Sequence, residues 1–232
     1  MPTLTRSRQD YLKALYALDR GEGVPTSQLA GRLGVSAPSV TNMLTRLSKE
    51  RLVRHAPRAG ARLTARGRRE ALVMVRRHRI LETFLVRVLG FDWSEVHQDA
   101  EVLEHHISPR VLEAIDRLIG HPHEDPHGHP IPDRHGRIRR RALIPIARLA
   151  RGERAVVREI RDADGPHMAR WKSHGLVPGA SVRMRAVHPL ADVFELEVAG
   201  SHMVTGSEGL DGVLVQVRGE GGRRASTRSR AS

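Results

Sequence analysis

The sequence predicts a mainly α protein with a small β module toward its C-terminal end. Three observations carry this. Residues 27–47 read as helix, glycine turn, helix, and two short basic strands follow them. Residues 66–119 repeat aliphatic side chains at helical spacing. Residues 155–217 hold short alternating strands separated by turn residues. A chain of 232 residues has room for one large domain or two to three small ones. Aromatic residues are only 3%, so any cores are aliphatic. The chain has no cysteine, which excludes disulfides, thiolate zinc sites, iron–sulfur clusters and Cys nucleophiles. Metal chemistry must therefore use His, Asp and Glu. A formal net charge of +13, almost all of it from arginine, favours an anionic partner, nucleic acid first. No apolar run approaches a membrane span and the N-terminus lacks an apolar signal segment, so a soluble cytoplasmic protein with no membrane partner is expected.

Residues 1–70 are expected to form a winged helix-turn-helix. Ser7 to Leu18 reads as a helix with Leu12, Leu15, Tyr16 and Leu18 on or near the inner face. Asp10 lies in its first turn, where a Ser7-x-x-Asp10 capping box is the structural alternative to a functional role. Gly21 to Pro25 is a turn. Ser27 to Leu33 is a short helix broken by Gly34. In the next helix Ser36 is the N-cap and Pro38 lies in the first turn, where a missing N–H costs nothing. Val40, Met43, Leu44 and Leu47 then face inward, leaving Ser39, Thr41, Asn42, Thr45 and Arg46 outside. An exposed helix face of short hydrogen-bonding side chains with an arginine suits a DNA major groove. The expected contacts on it are Ser36, Pro38, Ser39, Thr41, Asn42 and Arg46. Leu52 to His55 and Ala61 to Thr64 are two strands joined at Pro57 to Gly60. They form a wing whose Arg54, Arg58 and Arg62 are placed to meet phosphates or the minor groove.

Residues 71–135 are expected to form a helical domain. A helix runs from about Arg66 to Leu89, with Leu72, Val75, Ile80, Leu81, Phe84, Leu85 and Val88 on its apolar face. Its His78 and Glu82 are i, i+4 and share a side. Gly90 ends it, and Asp92 or Ser94 starts the next helix. There Val96, Ala100, Leu103 and Ile107 form an apolar stripe, while His97, Glu101, Glu104 and His105 share a second face. Two carboxylates and an imidazole pointing one way make half a coordination sphere for a divalent cation. The plain alternative is a solvated face beside a core face. Ser108-Pro109 opens a further helix with Val111, Leu112, Ile115, Leu118 and Ile119 on one face, ended by Gly120. This much aliphatic helix surface beside a small winged domain suggests a dimer interface. His121 to Pro132 is a loop, because four prolines forbid regular structure. Its histidines and acids are either metal ligands or a polar linker.

Residues 136–151 read as a basic linker. Residues 152–218 form a second, smaller module, with strands at 155–160, 181–187, 193–198 and 213–217, a short helix near His167 to His174 and a turn at Gly175 to Gly179. Four or five short strands make a small barrel. Residues 219–232 are Gly, Arg and Ser with almost nothing apolar and are expected to be a disordered tail.

Several motifs occur together and in order: Asp10-Tyr11-Leu12, the winged helix, Arg77-His78-Arg79-Ile80-Leu81-Glu82, Val96-His97-x-x-Ala100-Glu101-x-x-Glu104-His105, and Pro126-His127-Gly128-x-Pro130-Ile131-Pro132. In this the chain resembles the diphtheria toxin repressor and manganese transport regulator family of metal-dependent repressors, over roughly residues 5–218. The resemblance implies that the C-terminal barrel is the SH3-like, FeoA-type domain of the longer members. It implies two metal sites per subunit. The first resembles a set of Asp10, Glu101, Glu104 and His105 with His78 alongside. The second resembles an ancillary set of His78, Glu82 and His97 with Asp125, His127 and an acid at Asp162 or Asp164. The iron-responsive branch carries Met and Cys at the positions of Asp10 and Glu101, where this chain has carboxylates. Regulators with a paired-metal cluster carry Glu where this chain has Lys13, a departure that favours two separated sites.

The reading is a homodimeric, metal-activated regulator that binds a double-stranded, inverted-repeat DNA operator and controls metal homeostasis in response to Mn2+. An Fe2+-dependent regulator on the same fold is the alternative. A metal-dependent hydrolase is a distant one, since no His-Glu-x-x-His run exists. A metal store using the His-rich loop would leave the winged helix unexplained. An enzyme is not expected.

Overall fold

The computed structural model describes residues 5–19, 21–56, 59–139, 141–161 and 165–218. The chain divides into two compact units, each assembled from separate stretches. Residues 1–90, 97–123 and 130–139 make the first, and residues 91–96, 124–129 and 140–232 make the second.

The first unit begins with α1 (Arg6–Leu18), α2 (Thr26–Leu33) and α3 (Ala37–Lys49). The N-cap of α1 is Thr5 and no side chain caps it, so the Ser7–Asp10 capping box does not form and Asp10 is left for another partner. Gly34 adopts φ 65°, the left-handed conformation that lets the chain reverse between α2 and α3. Ser36 Oγ accepts the Ser39 N–H at 3.4 Å, and Pro38 follows in the first turn, as the sequence predicts. The strands β1 (Val53–Ala56) and β2 (Gly60–Leu63) pair antiparallel. Leu12, Leu15, Leu29, Val40, Leu44 and Leu47 are buried to within 1% and meet in one core with Tyr11, Val24, Val53 and Ala61. Truncating one of these leucines to alanine costs about 2–5 kcal/mol. This aliphatic cluster therefore holds α2, α3 and the β1–β2 hairpin at a fixed mutual angle.

Thr64 Oγ1 accepts the Gly67 N–H at 3.0 Å and caps α4 (Ala65–Arg87), which packs along α1. The inner face of α4 buries Leu72, Val75, Ile80, Leu81 and Leu85, and among them His78 and Glu82. Val88 is not part of this face: the helix ends before it and it is 47% exposed. The next helix, α5 (Val96–Leu103), departs from its expected stripe. Val96 and Ala100 are fully buried, but Leu103 is 40% exposed and Glu104 is fully buried instead. The helix stops at Leu103 and the chain turns over 104–106, so the helical phase ends there. Glu104 swings inward because a cation and an imidazole await it. The last helix of the unit, α6 (Pro109–Leu118), is capped by Ser108, whose Oγ accepts the Val111 N–H at 3.3 Å. Its apolar face stays exposed at Val111 and Leu118. Its buried side chain is an acid, Asp116, held by Arg76 at 2.6 Å and His121 at 2.9 Å.

The second unit is a six-stranded antiparallel sheet in the order β3-β8-β4-β5-β6-β7. Its elements are β3 (Ile144–Pro145), β4 (Arg154–Ile160), α7 (Gly165–Ser173), β5 (Ser181–His188), β6 (Val193–Val198), β7 (Ser201–Thr205) and β8 (Val213–Val217). Alternate residues Phe194, Leu196 and Val198 of β6 point inward, with Val182 and Met184 of β5, onto fully buried Ile146, Ile160, Leu176 and Val215 and the nearly buried Trp171. Register shifts at Val157/Glu159 and Met184/Ala186 bend β4 and β5 and help the sheet coil around this core. Two strands were not singled out in the sequence. One is β7, whose inward residues are only Met203 and Thr205. The other is β3, inside the stretch expected as linker, where Ile146 and Leu149 also enter the core. The short segments 91–96 and 124–129 complete the unit. Trp93 packs on its core, and Asp92 is ion-paired to Lys172. Gly128 adopts φ 84°, and a Cβ there would sit 1.8 Å from the Arg158 carbonyl oxygen, so only glycine lets the loop lie against β4.

Arg58, Asp162, Asp164 and the tail at 219–232 lie outside the described residues. Among the described residues no helix is long and apolar enough to cross a membrane.

Candidate metal centre

Three ligand-type side chains meet where α1 approaches the end of α5. Asp10 comes from the first turns of α1, and Glu104 and His105 from the residues just after α5. Their ligand atoms all lie within 4.8 Å of one another. His105 Nε2 is 2.9 Å from Asp10 Oδ1 and 3.6 Å from Glu104 Oε1. The opposite ring nitrogen, Nδ1, donates to Gln9 Oε1 at 2.9 Å. In a neutral ring that bond puts the lone pair on Nε2, the atom facing the two carboxylates. His105 Nε2 is buried and makes no hydrogen bond. A buried acceptor without a donor, between two acids, fits a divalent cation that takes oxygen and nitrogen ligands. Burial pushes the Asp10 carboxyl above its ordinary value; His105 opposes this, while Glu101 and Glu104 add to it. A bound cation would relieve that cost.

Glu101, expected in the same set, is grouped instead with His78 and His97. Its carboxylate meets Lys13 Nζ at 2.7 Å and lies 3.7 Å from His97 Nε2. Burial alone would raise the Glu101 carboxyl, but the Lys13 ammonium wins and holds it below the usual range. His78 sits at the middle of the cluster. Its Nδ1 is 2.7 Å from Glu104 Oε2, and its Nε2 is 2.9 Å from Glu82 Oε1 and 3.0 Å from His97 Nδ1. Burial would lower the His78 pKa, yet Glu82 and Glu104 raise it to about 9. Glu82 Oε1 also lies 3.2 Å from His97 Nδ1, so the expected ancillary residues His78, Glu82 and His97 converge.

The other two ancillary residues stand in the second unit and form a trio with His129, which the sequence did not single out. Asp125 Oδ1 accepts the N–H groups of His127 and His129 at 2.8 and 3.0 Å, and Asp125 Oδ2 is 3.2 Å from His129 Nδ1. His127 Nε2 donates to the Trp93 carbonyl at 2.8 Å, which leaves Nδ1 with the lone pair in a neutral ring. Gln9 likewise gave no sequence signal, since an orienting amide has no pattern of its own.

The face expected to read DNA is built on α3. Ser36, Pro38, Ser39, Thr41, Asn42 and Arg46 are all exposed, while Val40, Leu44 and Leu47 on the opposite face are buried. Thr41 and Thr45 hydroxyls donate back to the carbonyls of Ala37 and Thr41, at 3.1 and 2.9 Å, so outward they offer lone pairs and methyls. On the wing Arg54 and Arg62 are direct cross-strand partners, and both are exposed. Like charges set opposite each other are unfavourable in isolation and are relieved by an anion between them.

Comparison with known families finds a DNA-binding domain followed by a metal-binding one. Residues 3–61 match the iron-dependent repressor N-terminal DNA-binding domain, and residues 64–133 match the iron-dependent repressor metal-binding and dimerisation domain. The iron-dependent repressor IdeR of Mycobacterium leprae is 31% identical over 196 residues, covering 78% of this chain and 85% of that protein. The chain belongs to the iron-dependent, or diphtheria toxin, repressor family. It is a metal-dependent DNA-binding repressor of that family, and its residues 144–217 match the FeoA domain. The transcriptional regulator MntR of Bacillus subtilis is 34% identical to this repressor over 122 residues, 52% of this chain and 85% of that one. A solved manganese-dependent transcriptional repressor in complex with manganese superposes with a TM-score of 0.85 at 36% identity, over 91% of this repressor and all of that chain.

Proposed function

We propose that this repressor is a Mn2+-responsive homodimer that binds an inverted-repeat operator and controls genes of metal homeostasis. The observation that carries the reading is the meeting of Asp10 with Glu104 and His105 across two elements. Asp10 stands on α1, which packs on α2 and β2 of the DNA-reading module and along α4. Glu104 and His105 stand beyond α5. A divalent cation would supply there a concentrated positive charge that all three side chains share. Holding it, Asp10 ties α1 to the end of α5, and this fixes the pose of the two recognition helices in a dimer. Operator half-sites are read about one helical turn, ~34 Å, apart. Ion binding therefore favours the DNA-competent arrangement.

The donor set supports manganese. Asp10 and Glu104 offer hard carboxylates and His105 a nitrogen, and the chain has no cysteine to add a thiolate. Affinity alone favours Zn2+ and Cu2+ over Mn2+ at such ligands, so selectivity must come from coordination number and metal availability. The solved neighbour in complex with manganese supports the same metal. Iron is the second reading, favoured by the mycobacterial relative. A second ion per subunit is proposed at His78, Glu82 and His97 or at Asp125, His127 and His129. The exposed apolar residues of α5 and α6, among them Val102, Val111 and Leu118, supply the proposed dimer face.

The test is anaerobic titration of operator binding with Mn2+, Fe2+ and Zn2+, read by fluorescence anisotropy, on the parent and on Asp10→Ala. Activation by Mn2+ in the parent, lost in Asp10→Ala with its helical content unchanged, is the expected result. Equal Mn2+ activation of both overturns the role of Asp10, and activation by Fe2+ alone selects the iron reading.

A further inference from the structure

Lys13 follows Asp10 by three residues on α1, so the two side chains share one helix face. Its ammonium is surrounded. Lys13 Nζ lies 2.7 Å from Glu101 Oε1, 2.9 Å from each Glu104 oxygen and 3.0 Å from His78 Nδ1. Three carboxylate oxygens thus take up the three N–H groups of the ammonium, with the His78 ring packed beside them. They come from three places in the fold: α4, α5 and the turn after α5. Lys13 is 17% exposed and Glu104 not at all. A surface lysine pairing with one flexible acid looks nothing like this. Carboxylate oxygens and an imidazole nitrogen converging on one point from several elements form the donor set of a divalent-cation site.

Glu104 belongs to two neighbourhoods at once. Lys13 Nζ meets both of its oxygens, while Oε1 also lies 3.6 Å from His105 Nε2, toward Asp10, and Oε2 lies 2.7 Å from His78 Nδ1. A carboxylate in that position would bridge two cations. We infer that Lys13 is one of them: its ammonium is the resident cation of the Glu101–Glu104–His78 pocket, and the Asp10–Glu104–His105 centre beside it takes one divalent ion and no second. This rests on the proposal that Asp10, Glu104 and His105 hold the ion.

Two consequences follow. The ammonium is covalently part of α1, so α1 is tethered to α4 and α5 before any metal arrives, and the ion adds to an existing clamp. Also, with one ion per centre, occupancy there rises with free metal without the sharpening that a cooperative ion pair would give.

The experiment uses the full chain with Mn2+ as the probe. Bound Mn2+ per subunit is counted after equilibrium dialysis, and electron paramagnetic resonance reports whether neighbouring ions are spin-coupled. Parent, Lys13→Glu and Lys13→Met are compared. Lys13→Glu is expected to take one ion more per subunit than the parent and to show a spin-coupled signal the parent lacks. Lys13→Met is expected to melt at a lower temperature than the parent when metal-free and to gain more from added Mn2+, because Glu101 and Glu104 have lost their cation. A parent that already shows a coupled pair overturns the inference. So does a Lys13→Glu count equal to the parent's, or, where Lys13→Glu does not fold, an unchanged Mn2+-induced melting shift in Lys13→Met. A parent that takes up no Mn2+ overturns the metal reading itself, and is thereby distinguished from these outcomes.

Discussion

Glu104 is a fully buried carboxylate, and every favourable contact it makes is to a nitrogen. Removing its charge while keeping its shape leaves Lys13 and His78 less well paired. Breaking a buried ion pair costs about 3–5 kcal/mol. Glu101 and Glu82 remain, so Glu104→Gln is expected near the low end of that range by urea unfolding of the metal-free protein, and to lose Mn2+ activation of operator binding. At the proposed DNA surface the residues divide by chemistry. Asn42 is an exposed amide on α3, suited to a base edge. Arg62 is an exposed cation on β2, facing Arg54. Asn42→Ala is expected to change which operator variants bind best. Arg62→Ala should weaken all of them alike and reduce the slope of log affinity against log salt by about one. Equal changes in sequence preference for the two variants would contradict that division.

At the scale of the element, two acids hold packing that the apolar residues alone do not explain. Asp116 is the buried residue of α6 and is held by Arg76 of α4. Arg76→Met leaves it with His121 only, and a loss of about 3 kcal/mol is expected in the unfolding transition of the first unit. Asp92 ties segment 91–96 to α7, and hydrogen bonds from Lys172 and Ser94 hold its carboxyl down at about 2. Its folded pKa lies below the unfolded one, so its contribution is present above about pH 4 and is lost as the pH falls toward 2. The ion pair is largely exposed, so the effect is small. Asp92→Asn should flatten the acid limb of stability and leave neutral pH nearly unchanged. These elements also show what could be read from residues alone. Ser36, Pro38 and Ser108 announce their helix starts because capping is local chemistry. The α4 face and strands β4, β5, β6 and β8 show in periodicity because they are strongly apolar. The α5 stripe fails at Leu103 because the helix ends there and a distant lysine draws Glu104 inward. Gln9, His129 and Asp116 had no pattern to betray them, since each acts through a partner far away in sequence or through a loop turn.

At the scale of the whole molecule, each unit has its own core, and an apolar face of the first remains open to solvent. Leu118 is 67% exposed, Val102 55% and Val111 48%. Leu118→Asp is expected to shift the protein from dimer to monomer in sedimentation velocity and to abolish operator binding, while Mn2+ binding persists. A dimer that survives the charge would place the interface elsewhere. The division of the chain into units bears on something else. The second unit is not a terminal bead on a string, because it owns residues 91–96 and 124–129 as well as residues from 140 on. Trp93 fills against its core and the His127 carbonyl accepts the Ile160 N–H at 2.9 Å. During synthesis those two segments leave the ribosome before the strands they pack against, and His127 must wait for Ile160 of β4. The sheet therefore closes by long-range contacts, at the slow end of folding. A fragment starting at residue 140 would lack two of its own parts, and a protease nick there would leave the N-terminal piece holding two segments of the second unit.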